Sequence, residues 1–322
     1  MSQPALLPQG SALLLAVSGG QDSMALLGLL LGLQRLHGWR LVLWHGDHGW
    51  RDDSPQQAAE LARWCKQKGL TLLRDAQPRS DGDSNGSSGN REAQAREWRY
   101  QHLERRAREQ GCSTVVTGHT GSDRAETLLL HLARGSHRRG LASLRPQRLL
   151  AAEVMLSRPL LLFSRSETGQ ICRDLALPIW LDTSNEDTDF SRNRLRLEVL
   201  PVLEALHPGA TRRLAGTAER LRLELDAVQE WHQIAVQWLS CGGSGAMDRQ
   251  RLNQLQPINR AAVLNHWLGS TTGRTLGSRQ IEALVSRLDC RRPPGQAELE
   301  GGWQLRWDRS RLTLVAPPEP GP

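Results

Sequence analysis

The chain has 322 residues, 39% hydrophobic and 23% charged, which suits two folded domains and argues against overall disorder. No apolar run nears the roughly 18 residues of a membrane helix, the opening MSQPALLPQG shows no basic leader, and five scattered cysteines without a CxxC pair disfavour a disulfide framework, a zinc ribbon and a dithiol redox site. The net charge of +7 rests almost wholly on arginine, lysine occurring only at Lys66 and Lys68, and it suits an anionic partner such as nucleic acid, although arginine-rich codon usage would produce the same count. These features lead us to expect a cytoplasmic protein.

In chain order, Ala12–Val17 reads as a buried strand, and Asp22–Gln34 repeats apolar residues at helical spacing. Arg40–His45 is a second strand. Ser54-Pro55 opens a helix that Gly69 closes. Leu70–Leu73 and Thr114–Thr117 are further strands, and Asp123–Arg134 is a helix ended by Gly135. Strands alternating with helices predict an α/β fold with an open doubly wound parallel sheet. Ligands of such sheets sit beyond the carboxyl ends of the strands, here after Val17, His45 and Thr117. The Gly/Ser/Asn-rich stretch Pro78–Asn90 is expected to be a mobile loop near that edge.

The pattern changes after His207-Pro208-Gly209. Ala210–Leu239 predicts a long amphipathic helix, and Cys241–Gly245 a break. Arg251–Leu268 and Gly277–Leu288 look helical, and Trp303–Arg306 with Leu312–Val315 suggests a terminal hairpin. Residues 1–212 are therefore expected to form a catalytic domain, and 213–322 a second, mainly helical domain.

Three segments fall where the sheet places chemistry. The turn Ser18-Gly19-Gly20-Gln21-Asp22-Ser23 joins a strand to a helix; its glycines let backbone N–H groups converge on an anion, the helix N-terminus adds partial positive charge, and Ser18 and Ser23 add hydroxyls. It lacks the Gly-Lys-Ser/Thr of a Walker A loop. Read alone, an ordinary βα turn is the weaker of the two readings. His45-Gly46-Asp47-His48-Gly49-Trp50-Arg51 follows the second strand, with no cysteine near to complete a zinc site. After the fourth strand comes Thr117-Gly118-His119-Thr120-Gly121-Ser122-Asp123-Arg124-Ala125-Glu126-Thr127, in which Asp123 and Glu126 share one helical face. Acids at a helix start are also plain dipole partners.

The first turn resembles the SGGxDS signature of the PP-loop ATP pyrophosphatases. The other two resemble H-x-N-H-G-x-R and A-H-H-x-D-D-Q-A-E-T of one subfamily, the tRNA(Ile)-lysidine synthetases, with Asp47, Thr120 and Ser122 departing from the pattern. Glu92, Ala95, Arg96, Arg99 and Tyr100 match E-x-x-A-R-x-x-R-Y; Arg134-Gly135-Ser136 with Gly140-Leu141 and Arg158-Pro159-Leu160 match further motifs, His137 replacing a glycine. Asp182, Ser184, Asn185, Arg192, Asn193 and Arg196 match D-x-S-N…R-N-x-I-R. The resemblance spans about Leu13–Pro201 and continues more weakly beyond.

The resemblance implies an enzyme that adenylates the wobble cytidine of tRNA(Ile) with a CAU anticodon from ATP, then joins L-lysine to it, releasing AMP and pyrophosphate. It implies nucleotide binding by Ser18, Gly19, Gly20, Gln21, Asp22, Ser23, His48 and Arg51, with Asp22 holding Mg²⁺. Asp123 and Glu126 would bind the cationic ends of lysine, and Arg192, Asn193 and Arg196 phosphate or RNA. Asp22, His119 and Asp123 are the candidate catalytic residues, His119 relaying the proton that the lysine amine, of ordinary pKa about 10.4, must lose. The second domain would grip the tRNA body. A homodimer is left open, and no membrane partner is expected. The alternatives are a tRNA thiolase of the same superfamily, whose cysteine chemistry finds no counterpart in these motifs, and a non-catalytic nucleotide- or RNA-binding module.

Overall fold

Leu13, Leu14 and Leu15 of strand β1 (Ala12–Ala16) are fully enclosed. Alternation along the strand sends Leu13 and Leu15 to one face of the sheet and Leu14 to the other, and each face has its own apolar core. The computed structural model describes residues 5–47, 54–77, 88–180, 191–241 and 245–317, with the side chains of 88–92 outside that description. The chain divides into two units, Met1–Arg222 and Leu223–Pro322.

In the first unit β1 leads to α1 (Gln21–His37), β2 (Arg40–Asp47), α2 (Ser54–Gln67), β3 (Leu72–Ala76), α3 (Ser88–Glu109), β4 (Thr114–Val116), α4 (Gly121–Ala133) and α5 (Arg138–Leu141). Then follow β5 (Gln147–Ala151), β6 (Val154–Ser157), α6 (Arg165–Asp174), α7 (Ser191–Arg194), a π-helical turn Leu195–Val199 and α8 (Leu200–Leu206). The sheet order is β3-β2-β1-β4-β6-β5. All pairings are parallel except that of the edge strand β5 with β6. The expected doubly wound sheet is present, extended by a hairpin that local patterning did not reveal. Its turn is made without glycine or proline, Glu153 taking a φ of 65°.

β2 lies on one side of β1 and β4 on the other, so the direction of winding reverses between β1 and β4. That reversal opens a crevice at the carboxyl edge. The expected mobile loop Pro78–Asn90 falls mostly outside the described residues, its last three forming the first turn of α3.

Helix α9 (Ala210–Leu239) has the predicted bounds, and the division between units falls inside it, further along than the expected boundary at 212. The second unit continues with β7 (Ser240–Cys241), β8 (Ala246–Asp248), α10 (Arg249–Gln254), α11 (Pro257–Thr272), α12 (Ser278–Arg287), β9 (Gly295–Glu298), β10 (Gln304–Trp307) and β11 (Arg311–Val315). The helix expected over Arg251–Leu268 is two helices, because Pro257 has no N–H to continue the first and instead begins the second. The expected hairpin belongs to a five-stranded antiparallel sheet, β7-β8-β11-β10-β9, so this unit is less helical than expected. Its core joins Leu252, Leu264, Trp267, Leu284, Leu305 and Leu312. No helix among the described residues is long and apolar enough to cross a membrane.

A fully buried arginine fastens the loops of this unit. Arg249 donates from Nε to the Leu288 carbonyl at 3.0 Å, from Nη1 to Asp308 at 2.6 Å, and from Nη2 to Asp289 at 2.6 Å and Arg292 at 2.9 Å. Arg249→Met removes four donated hydrogen bonds at once, and among the described residues only the Leu288 and Asp289 carbonyls keep another donor, from Asn253 and the Arg292 N–H. It is expected to lower stability in urea unfolding by about 3 kcal/mol or more; a loss within about 0.5 kcal/mol would show that water satisfies those groups.

Candidate active site

The SGGQDS turn is shaped by its own hydroxyls. Ser23 Oγ donates to the Gly20 carbonyl at 2.8 Å and accepts from the Ser18 N–H at 3.2 Å. Its single proton is thereby used, so Ser18 Oγ donates to it at 3.1 Å and accepts the Gly20 N–H at 3.3 Å. Ser23 is buried, and its hydroxyl braces the turn. Gly19 has a φ of 89°, and a Cβ there would lie 3.3 Å from the Trp180 ring. Trp180 covers the turn, donating its backbone N–H to the Gly19 carbonyl at 3.0 Å and its indole N–H to Glu60 at 2.9 Å. The first-turn N–H groups of α1, from Gln21, Asp22 and Ser23, lack intrahelical acceptors and carry the positive end of the dipole.

Asp22 sits at that helix start with about a fifth of its side chain exposed. Thr168 of α6 donates its hydroxyl to Asp22 Oδ1 at 2.5 Å, and Arg165 lies 3.7 Å from Oδ2. Gln21 reaches the same helix, donating to the Arg165 carbonyl at 2.6 Å and to Thr168 Oγ1 at 2.9 Å. Burial pushes the Asp22 carboxyl above its ordinary value, against the pull of Thr168 and Arg165. The sequence reading missed Thr168 and Arg165. A usable signal was present, since Ser164-x-x-Glu167 forms a capping box that starts α6, with Glu167 accepting the Ser164 N–H at 2.7 Å.

The β4–α4 turn meets this loop directly. A Cβ on Gly118 would stand 3.0 Å from the Asp22 carbonyl oxygen and 3.1 Å from Ser23 Cα. Only glycine lets the two backbones touch. His119 follows, its Nδ1 2.9 Å from Thr117 Oγ1. Burial, with the charges of Arg158, Arg192 and Arg96, holds its pKa well below the usual histidine value despite the opposing pull of Asp123. The imidazole is therefore neutral at pH 7 and a weak base.

Asp123 caps α4, its Oδ2 accepting the Thr120 N–H at 2.7 Å and hydroxyl at 3.0 Å. Its Oδ1 takes Arg192 at 2.8 Å, with Arg196 at 3.6 Å. Burial would raise the Asp123 carboxyl, but Arg192 and its neighbours outweigh it and hold the group ionised. Glu126 is fully buried and accepts Arg192 Nε at 2.8 Å and Arg196 Nε at 2.7 Å. Both carboxylates are thus given to arginines. Glu126 has no exposed surface, and its two oxygens hold Arg192 and Arg196. Those two guanidiniums, expected on phosphate or RNA, are tied into a neutral four-residue cluster, although each stays about a fifth exposed. The two arginines share one face because they are four residues apart, and the helix that carries them widens to a π-turn before Pro201, where Leu200 donates to the Leu195 carbonyl. Asn193 is half-buried on the same helix. His48, Arg51, Asp182, Ser184 and Asn185 lie outside the described residues.

Comparison with known proteins agrees with this geometry. A PP-loop domain matches residues 2–203, and a TilS substrate binding domain matches 247–313. The tRNA(Ile)-lysidine synthase of Parasynechococcus marenigrum is 50% identical over 98% of this chain and 91% of its own. That of Prochlorococcus marinus strain SARG is 41% identical over 98% and 93%. The chain belongs to the tRNA(Ile)-lysidine synthase family. Among solved structures, the U34-tRNA thiolase NcsA from Methanococcus maripaludis with its [4Fe-4S] cluster matches with a TM-score of 0.58 at 17% identity, covering 68% of this chain and 74% of that one; this likeness is one of fold.

Within the lysidine synthase family this chain's departures have local explanations. Thr120 serves as the α4 cap, and Ser122 Oγ accepts the Arg165 N–H at 3.3 Å, tying α4 to α6.

Two outcomes test the site. Because folding raises the pKa of Asp22, its ionised form is penalised once pH exceeds the folded value and not below the unfolded one. Asp22→Asn is therefore expected to abolish turnover at pH 7 while raising the Tm of ligand-free protein by about 2–4 °C, equivalent to about 1 kcal/mol. A lower Tm would make Asp22 structural. For His119 the folded pKa is depressed, so it has no effect on stability above about 6.5, and the folded state loses stability as pH falls below that, where only the unfolded chain takes the proton. The Tm of His119→Asn should fall less than that of wild type between pH 7.5 and 5; parallel curves would place the imidazole in water.

Proposed function

We propose that this chain adenylates a tRNA cytidine at the junction of β1 and β4 and then attaches L-lysine to it. The observation that carries the reading is the contact of two turns, Gly118 against the backbone of Asp22 and Ser23, which sets an anion-binding helix start beside a neutral histidine and a mixed-charge cluster. The outer phosphates of ATP sit on the SGGQDS turn. The cytosine carbonyl oxygen attacks the α-phosphorus, and the bond to the β-phosphate oxygen breaks to release pyrophosphate. The lysine ε-amine then attacks the same ring carbon, the carbon–oxygen bond to AMP breaks, and the amine proton leaves.

Each residue has a share in this. The turn's N–H groups face charge that grows on the leaving pyrophosphate. Asp22, a single half-buried carboxylate beside the Thr168 hydroxyl, fits Mg²⁺, which binds through one or two carboxylates and substrate phosphates and would supply neutralisation of phosphate charge. Neutral His119 is placed to position the phosphate, and the amine proton leaves to solvent. The exposed parts of Asp123, Arg192 and Arg196 present both signs of charge, which suits the zwitterionic head of an amino acid: ammonium to Asp123 and carboxylate to a guanidinium fork. The relatives' name supports tRNA(Ile) as the substrate, and the basic composition suits RNA. A thiolase reading finds no comparable support: Cys65, Cys112 and Cys172 are buried in the apolar cores on the two faces of the sheet.

Incubation with ATP, labelled lysine and total tRNA, followed by nucleoside analysis, should yield lysidine with one AMP and one pyrophosphate each; ADP would refute the mechanism. In the same assay Arg192→Met should raise the lysine KM by about 10- to 100-fold, the worth of a charge-assisted hydrogen bond, with the ATP KM unchanged.

A further inference from the structure

The motif residues Arg96, Tyr100 and Arg158 take no step in the reaction above, although the charges of Arg96 and Arg158 bear on His119, and the fold brings them together with Arg148. Arg96 and Tyr100 are one turn apart on α3; Arg148 lies on β5, and Arg158 directly follows β6. The Arg96 and Arg148 guanidinium carbons stand 5.1 Å and 4.8 Å from the Tyr100 ring centroid. Arg158 Nη2 is 3.5 Å from the Tyr100 hydroxyl, and its Nη1 donates to the Arg145 carbonyl at 2.8 Å. Arg158 is 2% exposed, and its Nε is buried without an acceptor. The Thr117 N–H donates to the Ser157 carbonyl at 3.1 Å, so Arg158 stands next to the strand end that carries His119.

The charge of this group is unbalanced. Arg124, Arg165, Arg192 and Arg196 each have a carboxylate within 4.0 Å, whereas no such ion pair holds Arg96, Arg148 or Arg158 among the described residues. Three like charges around one phenol repel one another, and burial of Arg158 sharpens the cost. Burial would raise the tyrosine pKa, but the three arginines bring it below its ordinary value. Even a phenolate would offset only one charge. A buried cationic group with an unused N–H, flanked by two further guanidinium forks, is matched by a bound oxyanion.

We propose that Arg96, Arg148, Arg158 and Tyr100 bind a phosphodiester of the RNA substrate, beside the nucleotide whose base enters the β1–β4 junction. The proposal rests on the reading that this chain acts on tRNA. Position favours RNA over the nucleotide: ATP phosphates occupy the tip of β1, while this group lies on the β6 side of β4, about two strand spacings or 9–10 Å along the edge. Arginine forks and a tyrosine hydroxyl are common phosphate partners that set register without reading sequence.

The test uses Arg96→Gln, Arg148→Gln and the double variant, substitutions of partly exposed side chains that leave buried Arg158 in place. Binding of tRNA is measured against salt concentration, and binding of a non-hydrolysable ATP analogue in parallel. Each single variant should weaken tRNA binding about 5- to 10-fold near physiological salt and lower the log–log salt slope by roughly 0.7–0.9, with the double variant near twice that, at unchanged melting temperature and analogue affinity. Unchanged tRNA affinity and slope would overturn the site. Loss of analogue affinity with tRNA binding intact would assign the anion to the nucleotide and equally overturn it. Because the readout is binding, a wild type that forms no lysidine but whose variants lose tRNA affinity in this way supports the site while refuting the activity.

Discussion

The site depends on two strands being neighbours while the chain that leaves them parts in opposite directions. β2 pairs beyond β1, and β6 beyond β4, so nothing in the sheet closes over the carboxyl ends of β1 and β4. Into that opening run the first turns of α1 and α4, each carrying the partial positive charge of a helix start, with the Gly121 N–H of α4 taken by the Phe163 carbonyl. Gly118 lets the second turn touch the backbone of the first. The anion cradle, the neutral histidine and the mixed-charge cluster all follow from this adjacency.

The surrounding packing answers the electrostatic demands of the opening. A carboxylate with no solvent exposure is tolerable only if paired and hydrogen-bonded, and Glu126 obtains this from Arg192 and Arg196 on a helix far along the chain. The same pairing draws that helix onto α4. Asp22 shows the opposite balance. Its carboxyl is pushed toward neutrality by burial, with one hydroxyl and a distant guanidinium as support, and a cation with its phosphates would relieve that cost. Stability is given up at Asp22 and recovered at Glu126 and in the enclosed leucines of β1.

Local chemistry was legible wherever one segment carries its own signal. The buried run of β1, the glycine turn after it, the Ser54-Pro55 helix start and the bounds of α9 need no distant partner to declare themselves. The hairpin β5–β6 was not legible because its turn rests on a strained Glu153 and not on glycine. The break at Pro257 was passed over because apolar spacing continues across it. At Ser23 the sequence shows a hydroxyl but not its partner, which is the Gly20 carbonyl.

By itself the sequence determined the alternation of strands and helices, the anion-binding turn and the ordered motifs that place the chain in its family, because each depends on residues a few positions apart. Tertiary structure alone decided what the charges do. Asp123, Glu126, Arg192 and Arg196 become one cluster, Thr168 comes to Asp22, and Arg96, Arg148 and Arg158 gather on Tyr100, each across tens of residues of chain. The field on a charged group comes from whatever folding sets beside it, and distance along the chain does not record that.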